Sequence, residues 1–213
     1  MALNYFDAIV YINLSHRQDR DTLIQEELRR LQVSPEKIYR LEGIHDYLNG
    51  NRGCAQSHMK ALELAKQNKW KHLLILEDDV RFTKTSSEVE ETIVSFFQSF
   101  NQKWDVFFLG TNVIEYEESD HQEFKKILCA QCAHAYAVNA PYFDTLLACF
   151  EEAYASMLGK DLLYGSLNNT IDQCWKKLQR RDRWYMGKLL GQQRRSYSDI
   201  DHVIRDRDHP EII

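Results

Sequence analysis

The run His72-Leu73-Leu74-Ile75-Leu76-Glu77-Asp78-Asp79-Val80 constrains this chain more than any other stretch. Four consecutive apolar residues, one of them β-branched, are too short for a helix and read as a strand buried on both faces. Such a strand belongs in a sheet covered by helices on both sides. It ends on three carboxylates, which repel one another and resist dehydration, so something must offset their charge. A hard divalent cation is the natural partner, because Mn²⁺ or Mg²⁺ takes carboxylate, phosphate and water oxygens. The carboxyl end of a strand in an α/β sheet is also where ligands bind. Side chains alternate along a strand, so 77 and 79 share one face while 78 points away. Glu77 and Asp79 are therefore the expected metal ligands. The simpler alternative is a solvated acidic turn.

The bulk values exclude several classes. At 213 residues the chain suits one domain with a sizeable core, with 201–213 as a tail or linker to a further domain. Hydrophobic content of 44% and charged content of 28% are ordinary globular values and argue against disorder. A net charge of −5 argues against nucleic acid as a partner, since phosphate binding relies on a positive surplus. A local basic excess at Lys176, Lys177, Arg180 and Arg181 and at Arg194 and Arg195 faces either an anionic ligand or water. No window reaches the apolar length of a membrane span, and the first residues lack a signal-peptide layout. The expected location is the cytoplasm. Five cysteines, with Cys129 and Cys132 in CxxC spacing but no second pair, are expected to be reduced thiols.

Along the chain, apolar and polar segments alternate as strands and helices. Phe6–Leu14 reads as the first strand, with Ser15 capping a helix whose apolar positions are Leu23, Ile24, Leu28 and Leu31. Arg17 and Arg20 in its first turn are placed to reach a diphosphate. Lys37–Leu41 is a second strand, and a glycine-bearing loop follows until Gly53 opens the next helix. Ser57 and His58 lie early in that helix, where a histidine on the apolar stripe is either a hydrogen-bonded core residue or a ligand. Beyond the acidic strand, 85–101 is an amphipathic helix with Ser87 and Glu90 at capping-box spacing. Trp104–Gly110 is a strand, 113–126 an acidic and irregular surface excursion, and Ile127–Asn139 another strand. Pro141 starts a helix that runs through Met157. Asn169 or Thr170 caps a helix from Ile171 to Leu178, and Trp184–Leu190 is a last strand. The alternation predicts an α/β fold with a mostly parallel central sheet flanked by helices.

Several of these pieces, in this order, resemble glycosyltransferase family 25, which holds lipopolysaccharide-type sugar transferases and collagen galactosyltransferases. They are IVYINLSHRQDR, GCAQSHMKAL, LLILEDDV, WDVFFLG, AYAVNAPYFDTLL, TIDQCW and GQQRRSYSDI. The resemblance implies a GT-A-type nucleotide-sugar transferase fold and a Mn²⁺ (or Mg²⁺) ion held by a DxD-like motif. It implies transfer of a hexose-type sugar from a nucleoside-diphosphate donor, UDP-linked, to a hydroxyl of a glycan or glycoprotein. On this basis the backbone through Tyr11, Asn13 and Leu14 lines the base and ribose, and Arg17 or Arg20 the phosphates. Asp78 touches ribose or sugar hydroxyls, and Ser57, His58 and Gln192 fall with the donor-binding residues. The helix-start Asp172 is the expected catalytic base, and His202 or Asp199 supplies a further metal ligand.

Two rival readings stand beside it. One is a non-catalytic nucleotide-sugar or carbohydrate-binding module. The other is an aspartyl-phosphate phosphatase, which needs Asp where Glu77 stands and a later Gly-Asp motif that this chain lacks.

Overall fold

The computed structural model describes residues 2–160, 167–200 and 203–205. Its centre is a six-stranded sheet in the order β2-β1-β3-β6-β5-β7. The strands are β1 (Ala8–Asn13), β2 (Ile38–Glu42), β3 (His72–Glu77), β5 (Val106–Glu118), β6 (Lys125–Asn139) and β7 (Trp184–Met186). The pairs β1–β2, β1–β3 and β5–β7 are parallel, and β6 runs against β3, β5 and β7. Five of the six strands thus share one direction, as the alternation predicts.

Helices cover both faces. One core layer gathers Ile24 and Leu28 of α1 (Gln18–Arg30) and Ile93 and Phe96 of α3 (Ser86–Phe100) against Leu74 and Leu76. The other gathers Ala61 and Leu62 of α2 (Gly50–Asn68) and Leu146 and Phe150 of α4 (Phe143–Met157) against Leu73 and Ile75. Residues 73 to 76 are all fully buried, odd numbers facing α2 and even numbers facing α1 and α3. This is the two-sided burial that four adjacent apolar residues require.

Several local expectations are corrected. α1 begins at Gln18 with Arg17 at its N-cap, and the Ser15 amide instead donates to Glu42 Oε1 (3.2 Å). α2 starts three residues before Gly53, because Asn49 accepts from the Arg52 amide and caps it. The capping box of α3 is Thr85 with Glu88, not Ser87 with Glu90. Pro141 sits in a 3₁₀ turn, Ala140–Tyr142, that precedes α4. The Thr170 hydroxyl donates to Asp172 instead of capping, and the helix there divides into α5 (Ile171–Cys174) and α6 (Lys176–Gln179).

The largest correction concerns 113–126. That segment is not irregular, since β5 continues to Glu118 and pairs with β6 from Lys125 in a long hairpin. Its acids sit opposite bases, with Lys125 on Glu118 (2.5 Å) and Lys126 on Glu117 (3.0 Å). Cross-strand opposite charges stabilise the exposed face of such a ribbon.

Four short strands, in two pairs, finish the fold beside the acidic turn. β4 (Val80–Phe82) pairs with β8 (Gly191–Gln193), and β9 (Ser196–Tyr197) with β10 (Ile204–Arg205). The five cysteines are free thiols. Among the described residues no helix is long and apolar enough to cross a membrane.

Candidate active site

The ends of β1 and β3 open into a cleft of about 460 Å³, a volume typical of small-ligand sites. Its walls come from Ile12 and Leu14, the loop 43–46, the start of α2, the acidic turn, Gln131–Ala133 of β6, Thr170 to Gln173, and the strand-and-turn segment 193–200.

The strand alternation carries past the core and sorts the three acids. Glu77 continues the face of Leu73 and Ile75, so it meets α2. His58 Nε2 lies 3.6 Å from its Oε1. Asp78 continues the opposite face and meets α1. It accepts from Arg20 Nη1 (2.9 Å) and from Asn13 Nδ2 (2.8 Å). Burial pushes the Asp78 carboxyl above its ordinary range, and the Glu77 charge adds to that. Arg20 and the Asn13 hydrogen bond oppose the shift without cancelling it. Asp79 stands in the turn, nearly buried, and its carbonyl accepts from the Arg194 amide (2.7 Å).

Glu77 and Asp79 converge on one point. Gln193 Nε2 lies 3.0 Å from Glu77 Oε2 and 3.4 Å from each Asp79 oxygen. A group at that point faces three carboxylate oxygens, the donor set of a hard divalent ion, and rotation of the Gln193 amide would present its own oxygen to the same point. The residues therefore fit Mn²⁺ or Mg²⁺. β8 is paired so that Gln193 reaches the acids, while Gln192 pairs with Arg81 and does not line the cleft. The glutamine expected there, Gln192, is one residue out of phase.

The other expected residues are placed as follows. Tyr11 turns its ring into the α1 layer and donates to Asp21 Oδ1 (2.8 Å), so only its neighbours Ile12 and Leu14 line the cleft. Burial, then the hydrogen bond to Asp21, pushes the Tyr11 hydroxyl up to about 12. Asn13 holds Asp78. Arg17 is committed to Asp19 and to Asp199 Oδ2 (2.5 Å), whereas Arg20 lies on the cleft wall. Ser57 has a structural role, donating to the Gly53 carbonyl and accepting from the Ile44 amide, 2.8 Å each. That pins the loop to α2. His58 Nδ1 bonds Tyr136 Oη at 2.8 Å.

Asp172 reaches the cleft from the start of α5. Its Oδ2 accepts from the Cys132 amide (3.0 Å) and its Oδ1 from the Thr170 hydroxyl. Asp199 also lines the cleft and pairs with His16 and Arg17, while His202 lies outside the described residues. The basic excess of α6 and its flank is paired on the surface, Lys177 with Glu152, Arg180 with Glu115 and Arg181 with Asp182.

Cys54 falls on the apolar stripe of α2 and reads as core from the sequence, yet it joins the site. It lies one helical turn before His58 and lines the same cleft. Burial raises its thiol well above the ordinary value, and Glu77, Asp172 and Asp79 raise it further in that order. Those acids make this end of the cleft strongly negative.

Comparison with known proteins finds a likeness over the same segment. The family model of glycosyltransferase family 25 (LPS biosynthesis protein) matches residues 46–142, which hold α2, the acidic turn and the hairpin. The procollagen galactosyltransferases 1-A and 1-B of Xenopus laevis are 23% and 25% identical over 54% of this chain. In both cases only 23% of the relative is covered, so the chain spans less than a quarter of its length. Among solved structures, the mannose-1-phosphate geranyltransferase of Thermus thermophilus shares the fold at 11% identity. Its TM-score is 0.52, with 86% of this chain and 74% of that one covered. A glycosyltransferase involved in glycosylation of the major capsid of PBCV-1 aligns at 8% identity and a TM-score of 0.47, covering 84% and 92%. The matched segment supplies both the acidic turn and the helix that faces it, so the likeness to glycosyltransferase family 25 falls on the central elements of the cleft.

Proposed function

We propose that this chain transfers a hexose-type sugar from a nucleoside diphosphate, UDP in the first instance, to a hydroxyl of a glycan or glycoprotein. The observation that carries the reading is the convergence of Glu77 and Asp79 on one point at a strand end, inside a cleft of donor size, within the segment that resembles family 25. These two carboxylates would hold Mn²⁺ or Mg²⁺. When bound, the ion neutralises charge developing on the departing diphosphate.

The chain's own groups do the rest. The backbone at Ile12 to Leu14 borders the base and ribose, and Asp78 with Asn13 holds Arg20 at the wall where phosphates enter. In an inverting transfer the acceptor oxygen bonds the anomeric carbon as the carbon–phosphate-oxygen bond breaks, and the diphosphate leaves with that electron pair. Asp172 takes the acceptor's proton. Its two hydrogen bonds fix the carboxylate and leave it lone pairs for this task.

Asp79→Ala is expected to abolish Mn²⁺-dependent donor binding in calorimetry; undiminished affinity would remove it from the metal position. Asp172→Asn is expected to lower turnover by about 10²–10⁴-fold with donor affinity nearly intact. Near-normal turnover would exclude it as base. Release of nucleoside diphosphate from donor and Mn²⁺ alone separates an enzyme from a binding module, which would release none.

A further inference from the structure

The face of α2 that meets the strand end carries a second set of donors. Cys54 and His58 are four residues apart, so both side chains leave α2 on one side. The alternation along β3 brings Glu77 to that same side. Cys54 Sγ, His58 Nε2 and a Glu77 carboxylate oxygen all lie within 4.8 Å of one another. We propose that Cys54, His58 and Glu77 form a site for a thiophilic divalent cation, Zn²⁺ being the ion they suit, which shares Glu77 with the hard-ion position.

The geometry is close to what zinc needs. Zinc bonds of about 2.0–2.3 Å in a tetrahedron separate neighbouring donors by roughly 3.4–3.6 Å. His58 Nε2 and Glu77 Oε1 already stand at 3.6 Å. The widest gap closes by about an ångström through a rotamer change. Thiolate and imidazole together select zinc over manganese or magnesium.

The His58 ring is also held for the purpose. Tyr136 Oη lies 2.8 Å from Nδ1, and both side chains are buried. With Nδ1–H donated to that hydroxyl, the Nε2 lone pair faces Cys54 and Glu77. A fixed partner on the distal nitrogen is the usual way a ligand histidine is oriented. Three protein ligands leave a fourth position open to the cleft, where water or a donor oxygen can sit. Binding exchanges the Cys54 thiol proton for the ion and releases it to solvent, and no electrons move.

Because Glu77 serves both positions, Zn²⁺ and Mn²⁺ compete. That consequence rests on the manganese role proposed above for Glu77; the zinc site itself does not.

The test uses the full chain freed of metal by a chelator. Zn²⁺ is titrated against a chromophoric chelator, and Co²⁺ serves as the spectroscopic probe. The expected results are one equivalent of Zn²⁺ and a thiolate-to-cobalt charge-transfer band with the strong visible bands of a four-coordinate site. Cys54→Ser removes the charge-transfer band and weakens Zn²⁺ at least tenfold, and His58→Gln also weakens it. Tyr136→Phe, which acts through His58, weakens it about tenfold. Cys129→Ser changes nothing, and added Mn²⁺ raises the apparent Zn²⁺ dissociation constant. A cobalt spectrum of the unmutated chain without a thiolate band overturns the proposal whatever the variants do. So does an unchanged Zn²⁺ affinity in Cys54→Ser. Loss of manganese-dependent donor binding with the cobalt band intact refutes the functional reading alone.

Discussion

Replacing Arg20 by Ala tests how the acidic turn is held together. Arg20 and Asp78 keep only 12% and 8% of their side-chain surface exposed, so the pair behaves as buried. An exposed pair would contribute about 0–1 kcal/mol. Removing one member of a buried pair leaves the other charge without compensation and costs about 3–5 kcal/mol. Arg20 Nη2 also donates to Ser196 Oγ (2.6 Å) and to the Tyr197 carbonyl (2.7 Å), so the substitution frees the 196–197 strand as well. The measurement is urea unfolding followed by tryptophan fluorescence, since Trp104, Trp175 and Trp184 are fully buried reporters.

The same variant makes a pH prediction whose sign follows from linkage. Asp78 already titrates above its ordinary range because burial outweighs Arg20 and Asn13. Without Arg20 its folded-state pKa rises further above the unfolded value of about 3.9. Below that value the carboxyl is protonated in both states and its charge costs nothing. Stability is then lost as pH rises through the folded pKa. The deficit of Arg20→Ala against the unmutated chain is therefore smallest near pH 4 and reaches its full size near neutrality. Adding Asp78→Asn removes the stranded charge, so the double variant should lose less than the sum of the two single changes. A deficit below about 1 kcal/mol, or one constant from about pH 4 to 8, would refute the buried-pair reasoning.

Three further outcomes follow from packing and from the convergence point. A Cβ on Gly53 would lie 2.3 Å from the Ile44 carbonyl oxygen, so Gly53→Ala should cost about 1–3 kcal/mol in denaturant unfolding. It should also loosen the loop that Ser57 pins, read as faster amide exchange at Ile44. Trp175 is fully buried under the cleft and donates to the Ala130 carbonyl (3.0 Å); Trp175→Ala should cost about 3–5 kcal/mol in the same assay. Gln193→Ala removes the donor that Glu77 and Asp79 share and should cost about 1–3 kcal/mol in metal-free protein. Mn²⁺ should then shift the melting temperature of this variant by a different amount from that of the unmutated chain, and an equal shift would separate Gln193 from the ion's position.

Much of this site was legible before any coordinates. Leu73 to Leu76 required cover on both faces, and the same two-residue period sent Glu77 and Asp78 to opposite sides. The helix stripes, the strand order in the chain and Asp172 at a helix start were equally local. The misplacements were also local signals, but ambiguous ones. Ser15 and Ser87 are acceptable caps that lost to Arg17 and Thr85, and the acids of 113–118 read as loop because their bases lie across the hairpin at 125 and 126.

What the chain alone determined is which side of its own element each residue occupies, because helical and strand periods are set by backbone geometry over a few residues. What only the tertiary structure decided is which sides meet. Asp78 found Arg20 across 58 positions, Gln193 reached Glu77 across 116, and Gln192 turned away for want of one residue of register. Those meetings depend on strand order and on the pairing of β4 with β8. Contacts between distant segments arise from burial of the whole sheet, and no short window of sequence records them.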